Sequence, residues 1–308
     1  MMVLGFDTSN YTTSIAAYDG VRGENCSRLL DVRPGELGLR QSDALFAHVK
    51  RLPELADALF RSVRTGDIRA IGVSTRPRAV DGSYMPCFLA GVSAAKTMAA
   101  ALGVPCYAFS HQQGHIAAAL WSADRMDLMT QPHLAWHLSG GTTELLLVEP
   151  EGRNVRATQL GGTSDISAGQ IMDRTGKLLG LDFPAGKALD RLCADANGKD
   201  FFRVKTAELT FSFSGLENKI NQYHQAGHSA ADTAYFAVCS VCDAVVRTTR
   251  DALQKYPGLP VVFSGGVASN SMLRQLCSEF SPVFAQPALS TDNAMGIAVL
   301  TWLQEVGE

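Results

Sequence analysis

Two stretches of this chain carry the same short pattern 130 positions apart. Val3–Asp7 predicts a strand, Thr8–Asn10 a polar turn and Thr13–Tyr18 a second strand. Leu134–Leu138, Ser139-Gly140-Gly141 and Thr143–Val148 repeat that order, with Thr142-Thr143 matching Thr12-Thr13. Each copy runs out in an acidic turn, Asp19-Gly20 or Glu149–Gly152. Strand order, turn chemistry and exit are all kept, and the offset is close to the length of one domain. The pattern therefore predicts two related α/β domains, each opened by a β-hairpin. The 308 residues have room for both. The boundary is expected between Ala123 and Pro132, dividing residues 1–125 from 126–308, with the last helix packing back on the first domain.

Between and after the hairpins, strand and helix signals alternate, as helix-covered sheets require. Helices are predicted over Gln41–Arg64, with a break or restart at Pro53, and over Phe88–Leu102, closed by Gly103. Others follow at His111–Trp121, Ala168–Leu179, Lys187–Ala196, Ala230–Gln254, Asn270–Phe280 and Asn293–Glu305. Strands are predicted at Ala70–Ser74, Val104–Phe109 and Pro260–Phe263.

Composition excludes several classes. Hydrophobic residues make up 46% and charged residues 19%, so a core can be buried and global disorder is excluded. No window approaches 18 uninterrupted apolar residues, and the opening MMVLGFDTS carries no charged leader, so neither a membrane span nor a secretory signal is expected. A net charge of -3 argues against coating nucleic acid by bulk charge. Val21–Arg78 nevertheless holds 11 Lys/Arg against 7 Asp/Glu, which makes it the candidate docking face for nucleic acid or else an ordinary solvated surface. Seven scattered cysteines fit a reducing cytoplasm better than a disulfide framework, and Cys239-Ser-Val-Cys242 reads as helix packing.

His111 and His115 are four apart on a predicted helix, so both imidazoles can reach one ion. Gln112 stands where the glutamate of a zinc-protease HExxH belongs, and the spacing alone leaves a shared ion and two unrelated histidines both open. His224 and His228 have the same spacing around Gly227 and read as loop. Gly140-Gly141, Gly161-Gly162 and Gly265-Gly266 mark turns. The last follows the strand Val261-Val262-Phe263 and precedes a helix, a geometry that accepts anions. On residue type alone, Asp292 caps the last helix, and Asp173 and Asp190 are helix-surface charges flanking Pro184-Ala185-Gly186. No nucleophile elbow, Walker A loop or GxGxxG fingerprint occurs.

Taken in order, Leu4–Ser9 (LGFDTS), His111–His115 (HQQGH), Leu138–Gly141 (LSGG), Met172–Gly186 (MDRTGKLLGLDFPAG), Phe211–Leu216 (FSFSGL), Gly265–Asn270 (GGVASN) and Thr291–Asn293 (TDN) resemble the TsaD family over nearly the whole chain. These are the tRNA N6-adenosine threonylcarbamoyltransferases, once described as O-sialoglycoprotein endopeptidases. The resemblance implies an actin-like ATPase fold of the sugar kinase and Hsp70 superfamily, in two related α/β domains. It implies a divalent metal ion, iron or zinc, held by His111, His115 and Asp292. It further implies that His137, Leu138, Ser139, Gly140, Gly141, Asp173, Gly186, Asp190 and Asn270 bind the adenine nucleotide, threonylcarbamoyl-AMP or ATP/ADP, with Gly265 and Gly266 as phosphate turns. The implied partners are tRNA and other threonylcarbamoyladenosine-pathway proteins, with no membrane. The implied reaction is acyl transfer to the exocyclic amine of the adenosine beside the anticodon. No catalytic residue is assigned.

The departures from the family pattern suggest a diverged paralogue. The family's ETSCDE is Asp7-Thr8-Ser9-Asn10-Tyr11-Thr12 here, its HxEGH has Gln113, and its SGGHT has Thr142 in place of histidine. Arg76-Pro77-Arg78 replaces a Gly-Pro-Gly turn. The metal-ligand positions survive while the proton-handling positions do not. The alternatives are therefore a non-catalytic nucleotide-binding partner and a carbamoyltransferase with another acceptor.

Overall fold

The computed structural model describes residues 1–9, 11–31, 39–289 and 293–306. The strands in chain order are β1 Met2–Thr8, β2 Thr12–Tyr18, β3 Gly23–Leu29, β4 Ile68–Arg76, β5 Cys106–Ser110, β6 His133–Leu138, β7 Thr143–Glu151, β8 Asn154–Thr163, β9 Thr206–Ala207, β10 Thr210–Phe211, β11 Val261–Ser264 and β12 Val283–Phe284. The helices are α1 Gln41–Leu59, α2 Phe88–Leu102, α3 His111–Ser122, α4 Ala168–Leu178, α5 Gly186–Ala194, α6 Ser214–Gln225, α7 Ala230–Lys255, α8 Ser271–Leu276 and α9 Met295–Val306.

The first sheet runs β3-β2-β1-β4-β5. The second runs β12-β11-β6-β7-β8-β10-β9. Read outward from β6, the order β8-β7-β6-β11-β12 repeats the plan of β3-β2-β1-β4-β5. Each opening hairpin is antiparallel, and each first strand pairs in parallel with the strand that returns beside it, β1 with β4 and β6 with β11. The duplicated hairpin read from the sequence is thus a duplicated sheet topology. The β9-β10 hairpin is the addition to the second sheet.

Two compact units divide the chain. The first holds the chain up to Gln131, the hairpin tip Glu149–Ala157 and α9. The second holds Pro132–Val148 and the chain from Thr158 as far as Leu289.

In the first unit, β1 is covered on both faces, and its alternation decides what each face receives. Leu4 and Phe6 join a core with Leu52 and Leu59 of α1 and Ala90, Ala95 and Ala99 of α2. Gly5 faces the other way, where a Cβ would sit 2.6 Å from Ala294 O and 2.5 Å from Ala298 N at the start of α9. Asp7, two residues on, shares that face. Glycine is needed again where α3 crosses α9, because a Cβ on Gly296 would overlap Gly114 O.

In the second unit the core gathers Trp136, Phe211, Phe213 and Phe263 around α7, whose buried stripe includes Phe236, Val241 and Val245. Trp136 Nε1 donates to Thr249 Oγ1 at 2.8 Å, so this buried indole keeps its hydrogen bond. Cys239 and Cys242 are buried on α7, as the helix-packing reading expects, and burial pushes both thiols up. No described helix is long and apolar enough to cross a membrane.

His48 on α1 is fully buried, its Nδ1 2.8 Å from Thr13 Oγ1 on β2. Burial lowers the pKa of its ring below the ordinary histidine value. The unfolded chain then takes the proton first, so the neutral ring's contribution is complete above about pH 6.5 and is lost as pH falls below it. In pH-dependent urea unfolding, His48→Gln is expected to remove up to ~1.4 kcal/mol per pH unit of the acid-side slope. An unchanged slope would show that His48 carries none of it.

Candidate functional site

α3 begins on a complete capping box. Ser110 Oγ accepts from Gln113 N, and Gln113 Oε1 accepts from Ser110 N at 2.9 Å. Gln113 Nε2 also donates to Val155 O in the hairpin tip at 2.8 Å. With the helix start fixed, His111 and His115 fall on one face. Their Nε2 atoms stand 2.8 Å apart, with ring planes at 73°. Behind them, Asp7 Oδ2 lies 2.8 Å from His111 Nδ1. Asp7 is 1% exposed, and its other oxygen accepts from Ser9 N at 2.9 Å.

This donor set fits a cation of intermediate softness in kind: two imidazoles, one of them backed by a carboxylate. The 2.8 Å separation is a hydrogen-bond distance, shorter than the ~3.3 Å edge of a tetrahedral shell with ordinary metal–nitrogen bonds. The rings must part slightly to share an ion. Among the described residues no group of three His, Cys, Asp or Glu side chains converges as a complete metal site. Asp292, the third ligand implied by the sequence, lies outside the described residues. The described residues just after it are anchored: Ala294 N donates to Ser14 Oγ at 2.8 Å and Met295 N to Asn293 Oδ1 at 3.0 Å.

The second unit brings the other expected residues together around its glycine turns. β6 ends at Leu138, and the turn closes by Ser139 N donating to Thr142 O at 2.8 Å. Its outer side is fastened to α4: Gly169 N donates to Ser139 O at 3.2 Å and Ser167 Oγ to Gly140 O at 2.6 Å. A Cβ on Gly140, Gly141, Gly186 or Gly266 would meet no described atom within 4 Å, so these backbones border open space. Gly265 differs. Its φ is 91° and it packs against Leu138, so it shapes the turn. His137 pairs with Ser264 across β6 and β11, its Nδ1 3.3 Å from Ser264 Oγ.

Asp173 and Asp190 do more than solvate helices. Asp173 on α4 is half-buried, and Oδ1 accepts from Ala185 N at 2.9 Å. Burial raises its pKa, against the lowering effect of that N–H. Asp190 on α5 accepts from Asn270 Nδ2 at 2.9 Å and from Ser271 Oγ at 2.8 Å. Asn270 Oδ1 in turn caps α8 through Leu273 N. Asp190 therefore holds Asn270 in place, and Asp173 is the more available carboxylate of the two.

With that geometry in hand, relatives can be compared. The TsaD family profile, tRNA N6-adenosine threonylcarbamoyltransferase, matches residues 38–299. A Rhizobium etli protein bearing that same name is 33% identical, covering 97% of this chain and 87% of its own. A Dehalococcoides mccartyi protein of that name is 34% identical, covering 97% and 92%. The chain belongs to the TsaD family. Solved structures show its fold to be that of the actin-like ATPases. HypF in its phosphate- and nucleotide-bound form superposes with a TM-score of 0.62 at 14% identity over 99% of this chain, which spans 46% of HypF. Component A of the Acidaminococcus fermentans (R)-2-hydroxyglutaryl-CoA dehydratase gives 0.56 at 14% identity, covering 99% of both chains.

Against the TsaD pattern, two residues missed in the sequence stand out. Asp7 was legible only as the end of the first strand and a member of the LGFDTS motif, since nothing in the spacing ties it to a histidine 104 positions away. Asp165 accepts from Ser212 Oγ and from the backbone N–H groups of Ile166, Phe213 and Ser214. Burial alone would raise its pKa, but these donors outweigh burial and hold the carboxyl well below the carboxylate range. The signal that could have found it is the FSFSG run, whose backbone needs an acceptor. His224 and His228 correct the loop reading in part. His224 is on the last turn of α6, whereas His228 stacks on Tyr223 at 3.7 Å. In the basic segment, Arg28 and Arg51 pair with Glu54 and Asp31, and Arg22 pairs with Asp19 just before it.

The family's glutamate at position 113 could accept from Ser110 but could not donate to Val155 O. Gln113→Glu is therefore expected to keep α3 capped and to lower stability by about 1–3 kcal/mol, the cost of an unpaired buried acceptor. Urea unfolding checks this, and an undiminished midpoint would refute it.

Proposed function

We propose that this chain is a metal-dependent acyltransferase acting on tRNA. It moves the threonylcarbamoyl group from threonylcarbamoyl-AMP to the exocyclic amine of the adenosine beside the anticodon. The observation that carries the reading is the His111–His115 pair, meeting at Nε2 on a helix fixed by its own cap, in a chain of this family. The reaction forms one C–N bond and breaks one C–O bond to phosphate, releasing AMP and one proton. The mixed anhydride is already activated, so no protein nucleophile is required.

The residues of the second unit bind and orient. Backbone N–H groups at Gly140, Gly141 and Gly266 suit the phosphate. The Asp173 carboxylate, with one oxygen taken by Ala185 N, suits a ribose hydroxyl, and Asn270 is steadied by Asp190. In the first unit His111 and His115, with Asp292, would hold iron or zinc. Such an ion, when bound, polarises the carbonyl or offsets charge on the departing phosphate. Other threonylcarbamoyladenosine-pathway proteins are the proposed partners and the cytoplasm the proposed setting.

A second reading has its own support. Thr142 and Gln113 stand where the family pattern has a histidine and an acid, which fits a nucleotide-binding partner without turnover or a transferase with another acceptor.

The test is reconstitution with tRNA, threonine, bicarbonate, ATP and the partner proteins, with modified adenosine read by mass spectrometry. Product is expected from the wild type and a loss of at least tenfold from His115→Ala. Nucleotide binding without product would favour the second reading.

A further inference from the structure

Asp7 has a role that neither its place in β1 nor the cation ligands account for. We propose that it is a positioning residue. It holds His111 as the Nδ1–H tautomer and so aims the Nε2 electron pair at the point that His115 Nε2 also faces. The proposal rests on reading His111 and His115 as cation ligands and adds the group that sets their donor state.

Both oxygens of Asp7 are engaged, one by Ser9 N at 2.9 Å and one by His111 Nδ1 at 2.8 Å. An aspartate carboxylate oxygen accepts, so its 2.8 Å contact places the hydrogen on His111 Nδ1. A neutral imidazole protonated at Nδ1 presents a lone pair at Nε2. His115 Nε2, 2.8 Å from that lone pair, then supplies the hydrogen between the two rings. Holding a cation there would require His115 to give up the hydrogen on Nε2. His111 needs no change, because Asp7 has already put its hydrogen on the far side. Asp7 does not reach the ion itself, since it meets the opposite edge of the ring. Ser9 N, by binding the second oxygen, stops the carboxylate from rotating away from the ring.

The test uses the full chain labelled with 15N-histidine and free of metal, at about pH 8, where imidazoles are neutral. Long-range 1H–15N correlation reads each tautomer, and the His111 signals are assigned by their loss in His111→Gln. The wild type is expected to show Nδ1–H at His111 and Nε2–H at His115. Asp7→Asn, whose amide can turn either its oxygen or its nitrogen to the ring, is expected to bring in the Nε2–H form of His111. Zn2+ affinity, measured by competition with a chromophoric chelator, should fall ten- to a hundredfold in Asp7→Asn. Asp7→Glu should recover most of that loss. An Nε2–H His111 in the wild type overturns the proposal, whether or not Asp7→Asn folds. So does a folded Asp7→Asn with tautomer and affinity both unaltered. If the wild type takes up no Zn2+, the cation reading fails separately, and the tautomer still judges Asp7.

Discussion

A carboxylate sealed from water must find donors, and the first unit is arranged around one that does. Asp7 stands one residue before the end of β1 on the face that α9 covers, and it draws the backbone at Ser9 and the ring of His111 onto its two oxygens. The end of the first strand is thereby tied to the start of a helix that begins at residue 111. Gly5, one pleat earlier, makes room for α9 on the same face. Close helix approach and the buried charge occupy alternate positions of a single strand.

The second unit uses carboxylates in the same way but nearer the surface. Asp165 gathers the N–H groups of a turn, and Asp190 gathers Asn270 and Ser271. Neither would be found by looking for an acid with free oxygens, because each is spent on building a loop. What they build is a set of turns whose glycines border open space, and a ligand's phosphate needs open backbone donors.

The architecture was legible in the sequence where pattern and burial coincide. Val3–Asp7 and Leu134–Leu138 are buried strands and read as such, and α7 reads from its long apolar stripe. β3 was missed because it is a mostly exposed strand, GENCSRL, with no apolar alternation. β8 is polar for half its length, and α6 carries only Leu216 and Ile220 inward. At the candidate site, the pairing of His111 with His115 followed from helical periodicity. The contribution of Asp7 did not, because a contact across 104 positions leaves no mark in local spacing. Gln113 looked like a lost acid. In the structure it is an amide using its acceptor for the cap and its donor for Val155.

The same cap bears on how such a centre would be filled. Ser110 and Gln113 close the first turn of α3 with a reciprocal cap, and Asp7 meets the first imidazole at its Nδ1 edge. The helix start that carries both histidines is thus fixed by the protein's own hydrogen bonds, unlike small zinc modules that fold only around their metal. An ion seated between these rings would therefore rest on a helix start that stands without it, and its removal would be expected to leave the fold in place.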